Sequence, residues 1–141
     1  LAEHTALELH AWDFSPAGIA RLDAAARTRG LRIATEVCDV VARPPQPRAF
    51  DLVLVTHFLE RGIVPALIDA LRPGGLLLYQ TFTREAVSAR GPSTPEWRLA
   101  RNELLALFAG LTVRAYREEG SLGDRSRGLR DLAYLVAERP R

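Results

Sequence analysis

Four apolar runs in this chain each end on side chains that can do chemistry. Leu9-His10-Ala11-Trp12 runs into Asp13-Phe14-Ser15. Leu31 to Val37 runs into Cys38-Asp39-Val40. Phe50 to Val55 runs into Thr56-His57-Phe58, and Leu76 to Gln80 into Thr81-Phe82-Thr83. A carboxylate at a strand end, as Asp13 would be, can accept two hydrogen bonds from a ribose diol. It can equally be a turn aspartate or cap the following helix. Asp39 repeats the pattern one strand later, where it can accept from an adenine amino group or simply open a loop. The repetition favours the functional reading of the pair. Phe14 and Val40 offer apolar surface for the faces of a base, or ordinary core. His57 can exchange a proton near neutral pH, as a general base or by holding a substrate. The plainer alternative is a histidine bonded to neighbouring backbone.

The elements that position these residues are legible from spacing. Leu7 to Trp12 reads as a strand. Ser15-Pro16 is a helix start, a capping hydroxyl followed by proline in the first turn, and the helix runs to about Arg29 before Gly30. Leu31 to Val37 and Phe50 to Thr56 are strands, separated by a stiff Arg43-Pro44-Pro45-Gln46-Pro47 loop. Ile63 to Leu71 has helical spacing. It stops at Leu71-Arg72-Pro73-Gly74-Gly75 and turns into the buried strand Leu76 to Phe82. Asn102 through Ala109 is a helix, and Leu111–Tyr116 and Leu132–Ala137 close the chain as strands. Leu1-Ala2-Glu3-His4 looks like the tail of a helix. Alternation of strands and helices predicts a single α/β domain over residues 1–141 with a doubly wound, mostly parallel sheet. The last two strands are expected as an antiparallel pair at one edge.

Ligands of such sheets bind beyond the carboxyl ends of the strands, so the junctions above are the candidate site. Gln80 interrupts an apolar run beside Tyr79 and can mark a pocket wall. Arg90, Ser93 and Trp97 fall in a polar loop that can serve as a substrate lid or as a solvated connector. Cys38 has no His-Asp set arranged around it in sequence and reads as a small buried hydrophobe.

Composition narrows the function classes. All 19 basic residues are arginine, against 17 acids, for a net charge of +2. The arginines are spread along the chain, which fits a GC-rich bacterial genome better than a nucleic-acid interface. No apolar run approaches the roughly 20 residues of a membrane span. One cysteine excludes an internal disulfide and fits a reducing, cytoplasmic compartment. No Cys/His spacing suggests a metal. Methionine is absent, including at position 1, so a segment upstream of Leu1 is expected.

Together the acid-ended strand Leu9-His10-Ala11-Trp12-Asp13-Phe14-Ser15-Pro16, the second acid Asp39, Phe50-Asp51-Leu52-Val53-Leu54-Val55, Leu71-Arg72-Pro73-Gly74-Gly75-Leu76-Leu77-Leu78-Tyr79 and the terminal strand pair resemble the class I S-adenosylmethionine-dependent methyltransferases. Tyr79-Gln80-Thr81-Phe82-Thr83 and Gly91-Pro92-Ser93 look like the small bacterial branch related to tellurite-resistance methyltransferases. The resemblance implies a Rossmann-like methyltransferase fold with an antiparallel C-terminal strand. It implies S-adenosylmethionine as cofactor, Asp13 on its ribose and Asp39 on its adenine amino group. Phe14, Ser15 and Val40 would complete the cofactor contacts. Thr56, His57 and Phe58 would border the reactive methyl, with His57 the catalytic candidate.

One departure stands out. The family's first strand and its glycine-rich loop are missing. Without that strand, the two strands that flank it would lie about 10 Å apart, against an inter-strand spacing of about 4.8 Å. The missing piece lies outside this sequence, or the flanking strands close up, or another chain supplies the strand. The leading expectation is methyl transfer to a small-molecule acceptor, without nucleic-acid or membrane partners and with a homodimer allowed. The alternatives are a non-catalytic methyltransferase-like relic or partner domain, and a nicotinamide-dependent oxidoreductase.

Overall fold

The computed structural model describes residues 2–141, and they form two compact units that divide at Pro44/Pro45. The division falls inside the proline-rich loop, where neither helix nor ladder can bridge the chain.

The first unit is one strand–helix–strand. Strand β1 (His10–Asp13) pairs in parallel with β2 (Ala34–Val37), in the register His10 to Ala34 and Asp13 to Val37. Helix α1 (Pro16–Thr28) crosses between them and buries Ile19 and Ala26. It starts where the sequence signals a start: Ser15 is in extended conformation and its Oγ accepts from the Gly18 N–H at 3.1 Å. Both strands are shorter than predicted, because Leu7 to Leu9 and Leu31 to Ile33 lie outside the ladder. Ala2 to His4 form a turn rather than the predicted helix tail, and Leu1 lies outside the described residues.

The second unit holds a four-stranded sheet. Its strands are β3 (Phe50–Thr56), β4 (Leu71–Phe82), β5 (Thr112–Glu118) and β6 (Leu132–Glu138), in the order β3-β4-β6-β5. β3 and β4 are parallel, while β6 runs antiparallel to both β4 and β5. The antiparallel C-terminal strand is as expected. β3 borders this sheet, and Leu54 on it is 51% exposed. Among the described residues, β1 pairs with β2 in the first unit and β3 with β4 in the second.

Helix α2 (Val64–Ala70), entered through a 3-10 turn at Arg61–Ile63, ends at Leu71 as its backbone becomes extended. The Pro-Gly-Gly turn is absorbed into β4: pairing jumps from Phe50–Leu71 to Leu52–Leu76, leaving Arg72 to Gly75 as an irregular loop-out at the start of the strand. Gly74 supplies the positive φ that the loop-out needs. Helix α3 (Glu103–Leu107) is shorter than predicted, since Asn102 sits left-handed with no side-chain cap and Phe108 leaves helical geometry. The core of this unit gathers Leu71, Leu77, Tyr79, Leu99, Leu104, Phe108 and Leu135, all at most 2% exposed. The Tyr79 and Phe108 rings pack tilted, with centroids 5.3 Å apart.

Candidate functional site

The parallel register of the first unit brings the two predicted acids together. Asp13 is the last residue of β1, and its carbonyl accepts from the Cys38 N–H at 2.9 Å. Asp39 is the next residue, so both carboxylates stand at adjacent strand ends. Each uses one oxygen locally. Asp13 Oδ1 accepts from the Ser15 N–H at 2.7 Å. Asp39 Oδ1 accepts from the N–H groups of Val41 at 2.9 Å and Ala42 at 3.3 Å. These are the turn-building roles that a strand-end aspartate ordinarily plays. They still leave Oδ2 of each acid without a hydrogen bond among the described residues. Both acids are exposed, Val40 is half-buried, and the Phe14 ring is 76% exposed beside them. A large aromatic left open next to two half-satisfied carboxylates is the chemistry that a base and a ribose diol would use. Ser15 is already committed to capping α1 through its Oγ. Cys38 is buried, as its reading as a small hydrophobe requires.

In the second unit, Thr56-His57-Phe58 leaves the carboxyl end of β3. His57 has φ of +53°. That left-handed conformation is uncommon for a residue with a Cβ. It turns the chain off the sheet at once, while the His57 N–H still donates to the Gln80 carbonyl at 2.9 Å. The ring packs against Phe82 with centroids 5.1 Å apart. The Tyr79 hydroxyl donates to the Phe58 carbonyl at 2.8 Å, which ties this turn to β4. Burial holds the Tyr79 hydroxyl well above its ordinary pKa, so it stays a donor.

A pocket of about 200 Å³ opens here, lined by His57, Phe58, Leu59, Thr81, Pro92 and Trp97. His57 and Phe58 were predicted to border a site. Trp97 was a lid candidate and does line the pocket, while Ser93 and Thr56 are not among the lining residues. Gln80 is also absent from the lining; its strand neighbour Thr81 takes that place. Alternation along β4 explains the swap, since residues 80 and 81 point to opposite faces.

Two arginines that sequence reasoning passed over brace this pocket. Arg61 Nε donates to Glu103 Oε1 at 2.5 Å, Nη2 to Oε2 at 3.1 Å, and Nη1 to the Glu96 carbonyl at 2.7 Å. The Arg61 guanidinium holds the Glu103 carboxyl below its usual range. Arg98 donates to the carbonyls of Pro92 at 2.7 Å, Thr83 at 2.9 Å and Arg90, and its guanidinium lies 5.6 Å from the Phe82 ring centroid. No local pattern announces either residue in a chain whose arginines are everywhere. Among the described residues, no group of three His, Cys, Asp or Glu is placed to hold a metal ion. No helix of the described residues is long and apolar enough to cross a membrane.

The architecture is the α/β Rossmann-like methyltransferase fold, with a mixed sheet and antiparallel C-terminal pairing. Solved structures of that class superpose on the chain at low identity. TehB from Haemophilus influenzae matches with a TM-score of 0.72 and 20% identity over 95% of this chain and 50% of its own. An S-adenosylmethionine-dependent methyltransferase from Mesorhizobium loti matches at 0.70 and 19% identity, over 97% of this chain and 82% of its own. The [4+2]-cyclase SpnF matches at 0.74 and 20% identity, over 99% of this chain and 68% of its own. The chain thus spans half the length of TehB. No protein-family model matches the chain, and no curated protein sequence does.

Proposed function

We propose that the chain belongs to an S-adenosylmethionine-dependent methyltransferase acting on a small molecule, in the branch of which TehB is a relative. The observation that carries this reading is the pair Asp13 and Asp39, at adjacent parallel strand ends and each with one carboxylate oxygen to spare, on a methyltransferase fold. Asp13 would accept from the ribose hydroxyls and Asp39 from the adenine amino group. Phe14 and Val40 would cover the faces of the base, and Ser15 would hold the Asp13 turn in place. The bound cofactor supplies a methyl group already activated on a sulfonium, so the protein's task is chiefly alignment.

In the second unit, the pocket lined by His57 and Phe58 is the candidate acceptor site, and Thr56 stands at its strand end. Its volume of about 200 Å³ suits a small acceptor or one ring of a larger one. His57 would orient the acceptor and take its proton where the nucleophile needs a base.

Titration of the intact protein with S-adenosylmethionine in a calorimeter tests the cofactor assignment. Saturable binding is expected, weakened at least about tenfold by Asp13→Ala and by Asp39→Ala. An intact protein that gives no saturable heat refutes the reading, and binding of a nicotinamide dinucleotide in its place would move it to the oxidoreductases. SpnF, named a cyclase, shares the fold. Turnover is therefore read separately, as transfer of a labelled methyl group.

A further inference from the structure

Phe82, the last residue of β4, packs on the His57 ring and lines a second hollow. That hollow, of about 210 Å³, is also lined by Val87, Ser88, Arg90, Arg125, Arg130 and Asp131 among others. Three guanidinium groups therefore meet one carboxylate, and the four charges differ in what already holds them. Asp131 is only 8% exposed and fully engaged: Oδ1 accepts from the N–H groups of Val87 at 2.7 Å and Ser88 at 3.1 Å, and Oδ2 from the Ser88 hydroxyl. Arg130 is engaged as well. It donates to the carbonyls of Leu122, Asp124 and Arg127, and its Nε lies 3.6 Å from Glu119. These two residues build the wall.

Arg90 and Arg125 are different. Among the described residues, neither guanidinium has a hydrogen bond or an ion pair. They reach the same hollow from two separate loops. The backbone of Arg90 is nevertheless fixed, since its carbonyl accepts from Arg98 and its N–H donates to Ser88 Oγ at 3.2 Å. The second loop is closed tightly too. Gly128 has φ of +80°, and a Cβ there would stand 2.1 Å from Glu119 Oε2.

We propose that this hollow binds a compact oxyanion, a carboxylate or a phosphate, through the guanidinium groups of Arg90 and Arg125, whose N–H donors are not engaged by any described residue. Arginine presents a planar fork of donors that matches either anion two bonds at a time. The anchored backbone of Arg90 keeps one fork at the hollow, and ordering each side chain carries an entropic cost that the charge-assisted bonds must exceed. Asp131 attracts the Arg90 guanidinium electrostatically, but its oxygens are already taken by three donors, so neither Arg90 nor Arg125 hydrogen-bonds to it. The proposal requires neither the cofactor nor methyl transfer, so it stands or falls apart from the functional reading above.

The test is a titration of the whole chain in low-salt buffer with inorganic phosphate and, separately, with sodium acetate, followed through the Ser88 and Arg90 amide resonances. Saturable shifts are expected with at least one anion, and the one that saturates identifies the source. The joint variant Arg90→Gln/Arg125→Gln should weaken binding at least about tenfold. The control Arg21→Gln/Arg27→Gln, on α1, should leave it unchanged, and added sodium chloride should weaken it. Shifts that never saturate with either anion overturn the proposal. So does affinity that survives the first pair of substitutions or falls equally with the second.

Discussion

Replacing Gly91 by alanine tests how the strip that packs on Phe82 is built. Gly91 has φ of +87°, and a Cβ on it would stand 2.5 Å from Phe82 Cδ1 and 2.6 Å from Cγ. Two costs follow. The backbone conformation costs a residue with a Cβ about 1–2 kcal/mol. Displacing the ring costs about 1–3 kcal/mol more, because Phe82 is held from its other contacts by His57 and Arg98. The expected loss is about 2–5 kcal/mol in urea denaturation. The parts separate in a cycle with Phe82→Leu, where the smaller, flexible side chain removes the ring overlap. Gly91→Ala should then cost only the backbone part, for a coupling of about 1–3 kcal/mol. Gly110→Ala is the reference, since a Cβ there meets nothing within 4 Å, and it should change stability by no more than about 0.5 kcal/mol. If the two substitutions add to within about 0.5 kcal/mol, the close approach of Gly91 to the ring is not what fixes this strip, and the reasoning fails.

Two further predictions concern stability. The Ser88 hydroxyl, with the N–H groups of Val87 and Ser88, holds the Asp131 carboxyl below the ordinary aspartate range. Its contribution is therefore full above the unfolded-state value of about 3.9 and is lost as pH falls through the lower folded-state value. Asp131→Asn should cost about 1–2 kcal/mol at pH 7, and the cost should shrink in denaturation curves below about pH 4; a cost that is flat from pH 7 to 2 would contradict this. Ser15→Ala removes the cap bond to Gly18 and should lower stability by about 1 kcal/mol, with amide exchange rising first at the start of α1; unchanged exchange there would show that the cap contributes nothing.

What could be read from the sequence was local. Ser15-Pro16 marked the start of α1 to the residue, and the apolar run Phe50 to Thr56 matched β3 at both ends. The placement of Asp13 and Asp39 at or just beyond strand ends was legible because strand ends leave a mark in the order of apolar and polar residues. The antiparallel terminal pair followed from two strands with no helix between them. Pro73-Gly74-Gly75 correctly announced a break. Its absorption into β4 depends on pairing with Phe50, which the stretch does not reveal. α3 was overdrawn because Leu104, Leu105, Leu107 and Phe108 have helical spacing, while the left-handed Asn102 and the non-helical Phe108 set the ends. Least visible were the long-range bonds. Arg61 meets Glu103 across 42 positions and Ser88 meets Asp131 across 43. Such pairs have no period and no composition; only the folded chain brings them together.

The outer strand β5 also bears on how the protein behaves in a crowded solution. It pairs on one side only, and its register with β6 slips between Val113 and Ala115, so that Arg114 falls at the irregularity and reaches across to Glu138 at 2.8 Å. A bulge and a row of charges on a free border discourage a second chain from adding itself there as a new strand. Addition of a further strand through this side is thereby disfavoured, and neutralising Arg114 and Arg117 together is expected to make it easier, read as a rise in aggregation on concentrating the variant.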